Sequence, residues 1–111
     1  MTPVKHNLSA IKGEFITLTI GYNKIVEPED LFACVRNFVQ DDHYQVKFNI
    51  TVSKDNLTVD ERCRIILSLD TKELNAGRHV WDLFVWAGDR PVKCLVKGQL
   101  TILEGVSNRG K

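Results

Sequence analysis

The fold turns on residues 76–103, AGRHVWDLFVWAGDRPVKCLVKGQLTIL. Across 78–86 the side chains alternate without a break. His79, Trp81, Leu83 and Val85 form one apolar set, and Val80, Asp82, Phe84 and Trp86 form the other. Successive side chains of an extended chain point to opposite faces, so this period predicts a β-strand with its first set in the core. Gly77, just ahead of it, is expected to supply a positive φ in the turn that leads in. Residues 87–91, AGDRP, carry turn chemistry. Beyond them Val92, Cys94 and Val96 resume the alternation on one side, Gly98 interrupts it, and Leu100 and Ile102 continue on one face. The reading is an antiparallel meander that closes the domain.

Outward from this stretch the same period recurs. Residues 62–69, RCRIILSL, align Cys63, Ile65, Leu67 and Leu69. Residues 44–52 set Tyr44, Val46, Phe48, Ile50 and Val52 against polar neighbours and read as one strand. Residues 14–20, EFITLTI, are rich in β-branched and aromatic side chains and read as another. Residues 31–39, LFACVRNFV, are apolar on both alternating sets, which suits a strand covered on both faces; a short helix is the competing reading. Residues 5–11 suggest a first edge strand, and 70–74, DTKEL, one capped helical turn at most. About seven short strands with almost no helix predict an all-β fold, an antiparallel sandwich of immunoglobulin-like design. Residues 1–103 are read as a single domain and 104–111, EGVSNRGK, as a flexible C-terminal arm.

Composition narrows the function classes. The chain has 111 residues, 43% hydrophobic and 26% charged, with 15 basic against 14 acidic side chains and a net charge of +1. That balance gives no long-range attraction for nucleic acid or an anionic membrane, so neither is expected as a partner. The first fifteen residues hold no apolar core of signal-peptide length, so folding in the cytoplasm where the chain is made is expected. Cys34, Cys63 and Cys94 are widely spaced, each inside an apolar run, and read as small buried hydrophobes in a reducing compartment.

Chemistry is sparse. His6, His43 and His79 lack the short spacings of metal sites, so no metal is expected. No serine stands in a nucleophile-elbow context, and the glycines form neither a phosphate loop nor a dinucleotide fingerprint, so no cofactor is expected. Asp82 lies mid-strand among aromatics without a second carboxylate or histidine spaced to work with it. It reads as a structural carboxylate, held by backbone N–H groups or a basic side chain. The chain is therefore read as a non-enzyme.

The order of signals resembles a family of small bacteriophage virion domains, typified by the N-terminal domain of phage baseplate upper proteins. The resemblance rests on KGEFITLTI (12–20), EPEDLFACVR (27–36), RIILSLDTKEL (64–74) and AGRHVWDLFVW (76–86), with VKCLVKGQLTILEGV (92–106) closing the chain. Asp30-Leu31 matches an acidic-Leu pair that opens a strand. Gly77 with Trp81-Asp82-Leu83 matches a Gly ahead of an aromatic-Asp-Leu strand. Gly98 matches a second Gly before the last strand. His79 departs from the family's usual Tyr, and no Ser/Thr-Gly follows Asp30-Leu31. The resemblance implies a structural protein of the virion, made in the host cytoplasm, whose partners are other copies of itself and neighbouring virion proteins.

What remains is surface. With His79, Trp81, Leu83 and Val85 inward, Phe84 and Trp86 fall on the outer side of their sheet, and large aromatics there are the side chains that anchor interfaces. Cover by the 21–30 loop or a terminus is the plainer alternative. Two function classes follow: an oligomerising assembly or docking module of a tail, baseplate, adaptor or capsid surface, or a stand-alone carbohydrate-binding sandwich using Trp86 with Asp89 and Arg90.

Overall fold

The computed structural model describes residues 4–38 and 43–105. Among the described residues nine strands form, in chain order β1 (Val4–Lys5), β2 (Leu8–Ile11), β3 (Phe15–Tyr22), β4 (Leu31–Arg36), β5 (Val46–Lys47), β6 (Asn49–Ser53), β7 (Cys63–Asp70), β8 (Gly77–Ala87) and β9 (Arg90–Leu103). Among the described residues the only helical pieces are single 3-10 turns at Pro28–Asp30 and Thr71–Glu73. The strands make two sheets packed as a sandwich. The larger has six strands in the order β1-β9-β8-β4-β5, with β2 also on β9; the smaller has the order β3-β7-β6.

Pairing is antiparallel except at one edge. β1 and β2 run parallel to β9, with Val4 beside Val96 and Leu8 beside Leu100. The antiparallel sandwich read from the sequence is therefore corrected to a mostly antiparallel one. Apolar alternation sets which face a strand presents, and says nothing of its direction relative to a strand some 90 residues away.

The core lies between the sheets. β7 contributes Cys63, Ile65, Leu67 and Leu69, β8 contributes Trp81 and Leu83, and β4 contributes Ala33 and Val35, all essentially solvent-free. Residues 31–36 form a strand and not a helix, because their neighbours on both sides are extended: β8 pairs along the whole length and β5 along Cys34 and Val35. Val39 and residues 40–42 lie outside the described residues.

The run 44–52 is not one strand. β5 pairs with β4 in the larger sheet, β6 with β7 in the smaller, and the chain changes sheet at Phe48. Phe48 N–H donates to the Ala33 carbonyl at 2.9 Å. Its ring, 3% exposed, packs 5.5 Å from the Trp81 ring. Val46, Phe48, Ile50 and Val52 all stay on the core side through the change, so the alternation survives while the partner strand is exchanged.

β9 also departs from simple alternation. Leu83 pairs with Val96 but Phe84 with Cys94, and Val85 with Lys93 but Trp86 with Pro91. Leu95 and Val92 are the extra residues of two β-bulges. Leu95 and Val96 are consequently buried in succession, and Cys94 moves to the side opposite Val96, beside Phe84. The single-sided set Val92, Cys94 and Val96 read from the sequence does not exist.

Candidate functional site

The outer face of the larger sheet gathers an aromatic cluster. Cross-strand pairing sets Phe32 opposite Phe84 and Cys34 opposite Asp82. The Phe32 ring meets Trp86 edge-on at 6.5 Å, and Tyr44 meets Phe32 edge-on at 5.5 Å. Phe84 and Trp86, singled out from the sequence as interface residues, are half-buried against these neighbours. Tyr44 is the cover, and Glu29 and Gly88 complete a cleft of about 430 Å³ with Phe32, Arg36 and Trp86. Trp86 Nε1 is buried and has no hydrogen-bond partner among the described residues.

Beside the aromatics sits a compact polar group. Arg36 reaches Asp82 at 3.9 Å and donates to Cys34 Sγ at 2.9 Å. Burial pushes the Asp82 carboxyl above its ordinary range, and the Arg36 guanidinium only partly offsets this. Burial likewise raises the Cys34 thiol to about 11, with Arg36 opposing and Asp82 adding. Cys94 is raised by burial and by the Asp82 charge. Neither thiol is primed as a nucleophile, which needs a lowered pKa. Asp82 thus meets a basic side chain.

The two glycines have distinct local roles. Gly77 has φ +131° and open space at its Cβ position, so conformation is what it supplies to the turn. Gly98 supplies room: a Cβ there would run into the His6 carbonyl. The N-terminal chain breaks between β1 and β2 at this point, and the His6 carbonyl accepts from Trp81 Nε1 at 2.9 Å. Asn7 Oδ1 accepts from Gln99 N at 3.0 Å, which fixes the other side of the break. His79, 5% exposed in the core, lies 2.8 Å from the Asn75 carbonyl and 3.1 Å from Asn37 Oδ1.

A second concavity was not read from the sequence. Between β3 and the β1/β9 edge the sheets part to leave a groove of about 600 Å³, lined by Leu18, Ile20, Tyr22, Leu95 and Val96. Lys93 Nζ lies 5.9 Å above the Tyr22 ring at its mouth. The only signal in the sequence was that 15–22 alternates apolar residues with nothing charged, a pattern an internal strand also shows.

Among the described residues no group of three or more His, Cys, Asp or Glu side chains is placed to hold a metal. No family model and no curated protein matches the chain in sequence.

Proposed function

We propose that the chain is a non-enzymatic assembly module, a structural protein of a bacteriophage virion, which docks through the aromatic outer face of its larger sheet. One observation carries the docking reading: a buried Trp86 indole N–H, without a partner among the described residues, inside a concave aromatic cluster. An orphaned buried donor costs about 1–3 kcal/mol, and docking that shifts the ring enough to give the N–H an acceptor removes that cost. Aromatic side chains with an arginine at the margin are the composition of interface anchors. The virion setting rests on the sequence resemblance, and the partners in this reading are other copies or neighbouring virion proteins.

The finer fold reading belongs to the same proposal. The β3-β7-β6 sheet facing β9-β8-β4-β5, with the first strand parallel to the last, supports an immunoglobulin-like design.

Light scattering on wild type and on Phe84→Ser/Trp86→Ser tests the docking face. The reading expects a defined assembly that the double substitution reduces to a smaller, still folded species. A mass that the double substitution leaves unchanged overturns self-assembly through this face. Trp fluorescence that responds to an oligosaccharide would replace the reading with the carbohydrate-binding one.

A further inference from the structure

The open edge of β3 carries the inference. β1, β2 and β5, the edge strands of the larger sheet, are two to four residues long, and short edges resist intrusion by another strand. β3 is eight residues long, pairs with β7 in unbroken register, and has no strand on its other side among the described residues. It contains no proline, no charged side chain and no bulge, the usual devices that protect an edge.

The direction of its free backbone groups follows from its ends. The carbonyls of Glu14 and Tyr22 accept from Thr71 N and Arg62 N, so the even-numbered residues address β7. In an antiparallel ladder the alternate residues then point their N–H and C=O away. Phe15, Thr17, Thr19 and Gly21 therefore offer theirs to the open side. Ile16, Leu18, Ile20 and Tyr22, on the core side, stay only half-buried, and the last three line the groove where the sheets part.

We propose that this edge pairs with the same edge of a second copy, antiparallel about a two-fold axis through Thr19. The smaller sheets of two molecules then join into one continuous sheet. Thr19 faces its own symmetry mate and Thr17 faces Gly21, so every pair uses outward-pointing backbone groups. Leu18 lies beside Ile20 and Ile16 beside Tyr22 of the other copy, which places apolar side chains over the mouth of the groove. Charge selects this register. It brings Glu14 to the end at which Lys24 of the other copy leaves the strand, at both ends of the pair. Sliding to a Leu18-centred register would set Lys12 against Lys24 instead. The contact is isologous and closes as a dimer rather than growing into a fibre. It is separate from the aromatic face and stands or falls without it.

The experiment uses Phe84→Ser/Trp86→Ser as background, so that the edge is read alone. Light scattering over a concentration series is expected to give a dimer. Adding Thr19→Pro, which removes an outward N–H and none of the β7 pairing, is expected to give a monomer with unchanged near-ultraviolet circular dichroism. A monomeric background chain, or a dimer that survives Thr19→Pro, overturns the proposal. A second readout needs no loss of function. Directly opposed residues of a hydrogen-bonded pair lie about 5.5 Å apart, within disulfide range. In the wild-type chain, Thr19→Cys is expected to cross-link two copies on mild oxidation, and Thr17→Cys is not. Equal cross-linking of both overturns the register.

Discussion

Gly98→Ala tests how the first strands are locked to the last. The added methyl group meets the His6 carbonyl, which is backbone and cannot swing aside as a flexible side-chain end would. Displacing His6 breaks its bond to Trp81 Nε1, a 2.9 Å contact from an indole only 2% exposed. Leaving that buried donor unpaired costs about 1–3 kcal/mol, and forcing the extra methyl into a packed site costs a further ~1–3 kcal/mol. The sum, about 2–6 kcal/mol, lowers the melting temperature by about 4 °C for each kcal/mol in a chain of this length. Urea unfolding followed by far-ultraviolet circular dichroism measures it by linear extrapolation. Trp81→Phe separates the two parts. With no indole N–H to orphan, the penalty of Gly98→Ala falls by about 1–3 kcal/mol in that background. A penalty that is the same with Trp or Phe at 81, or below about 0.5 kcal/mol with either, refutes the reasoning.

Three further outcomes are expected. Thr71 is fully buried, accepts from Gly13 N at 2.9 Å and donates to the Glu14 carbonyl at 2.7 Å; Thr71→Val is expected to lose about 1–3 kcal/mol in chemical unfolding. Asp82 has a raised folded pKa, so its contribution is fully present below its unfolded value and is lost as pH rises through the folded one. Asp82→Asn is thus expected to stabilise the chain at neutral pH, with the gain vanishing in melts as pH falls to about 3.8, the ordinary value for the group. Cys34, fully buried and raised to about 11, is expected to resist alkylation at pH 8 in the folded chain and to react once urea unfolds it; mass spectrometry of the labelled peptides reads this directly.

How far the sequence could be read depended on what kind of information each feature needed. β7 and β8 were legible because one face of each is buried, save for the half-buried Val85 near the end of β8, and period two records that directly. The outer position of Phe84 and Trp86 followed from the same parity. The change of sheet at Phe48 left no trace, since the inward set continues across it and only the hydrogen-bonding neighbour changes. The bulges at Leu95 and Val92 were invisible for a related reason: neither is marked by glycine, and each shifts register only relative to β8. Gly98 was recognised as a break, but the group that needs its space, His6, lies far off in sequence. The alternation puts Tyr44 on one face with Val46 and Phe48, whereas it lies against Phe32 on the outer face. The groove escaped notice because it is a gap between strands of different sheets.

The parallel seating of the first strands on the last also decides how the domain answers to tension. Val4 lies against Val96, and Ile11 against Leu103, so a pull applied through Val4 and Leu103 acts along the strands from opposite ends of the pair. The interstrand bonds then lie across the load and share it together. A hairpin pulled open from its end breaks its bonds one at a time; this pair must slide as a unit. The His6 carbonyl, seated where Gly98 has no side chain, acts as a catch that has to ride out of its notch before sliding begins. A domain joined to its neighbours at both ends would hold its length under traction and then yield in a single step.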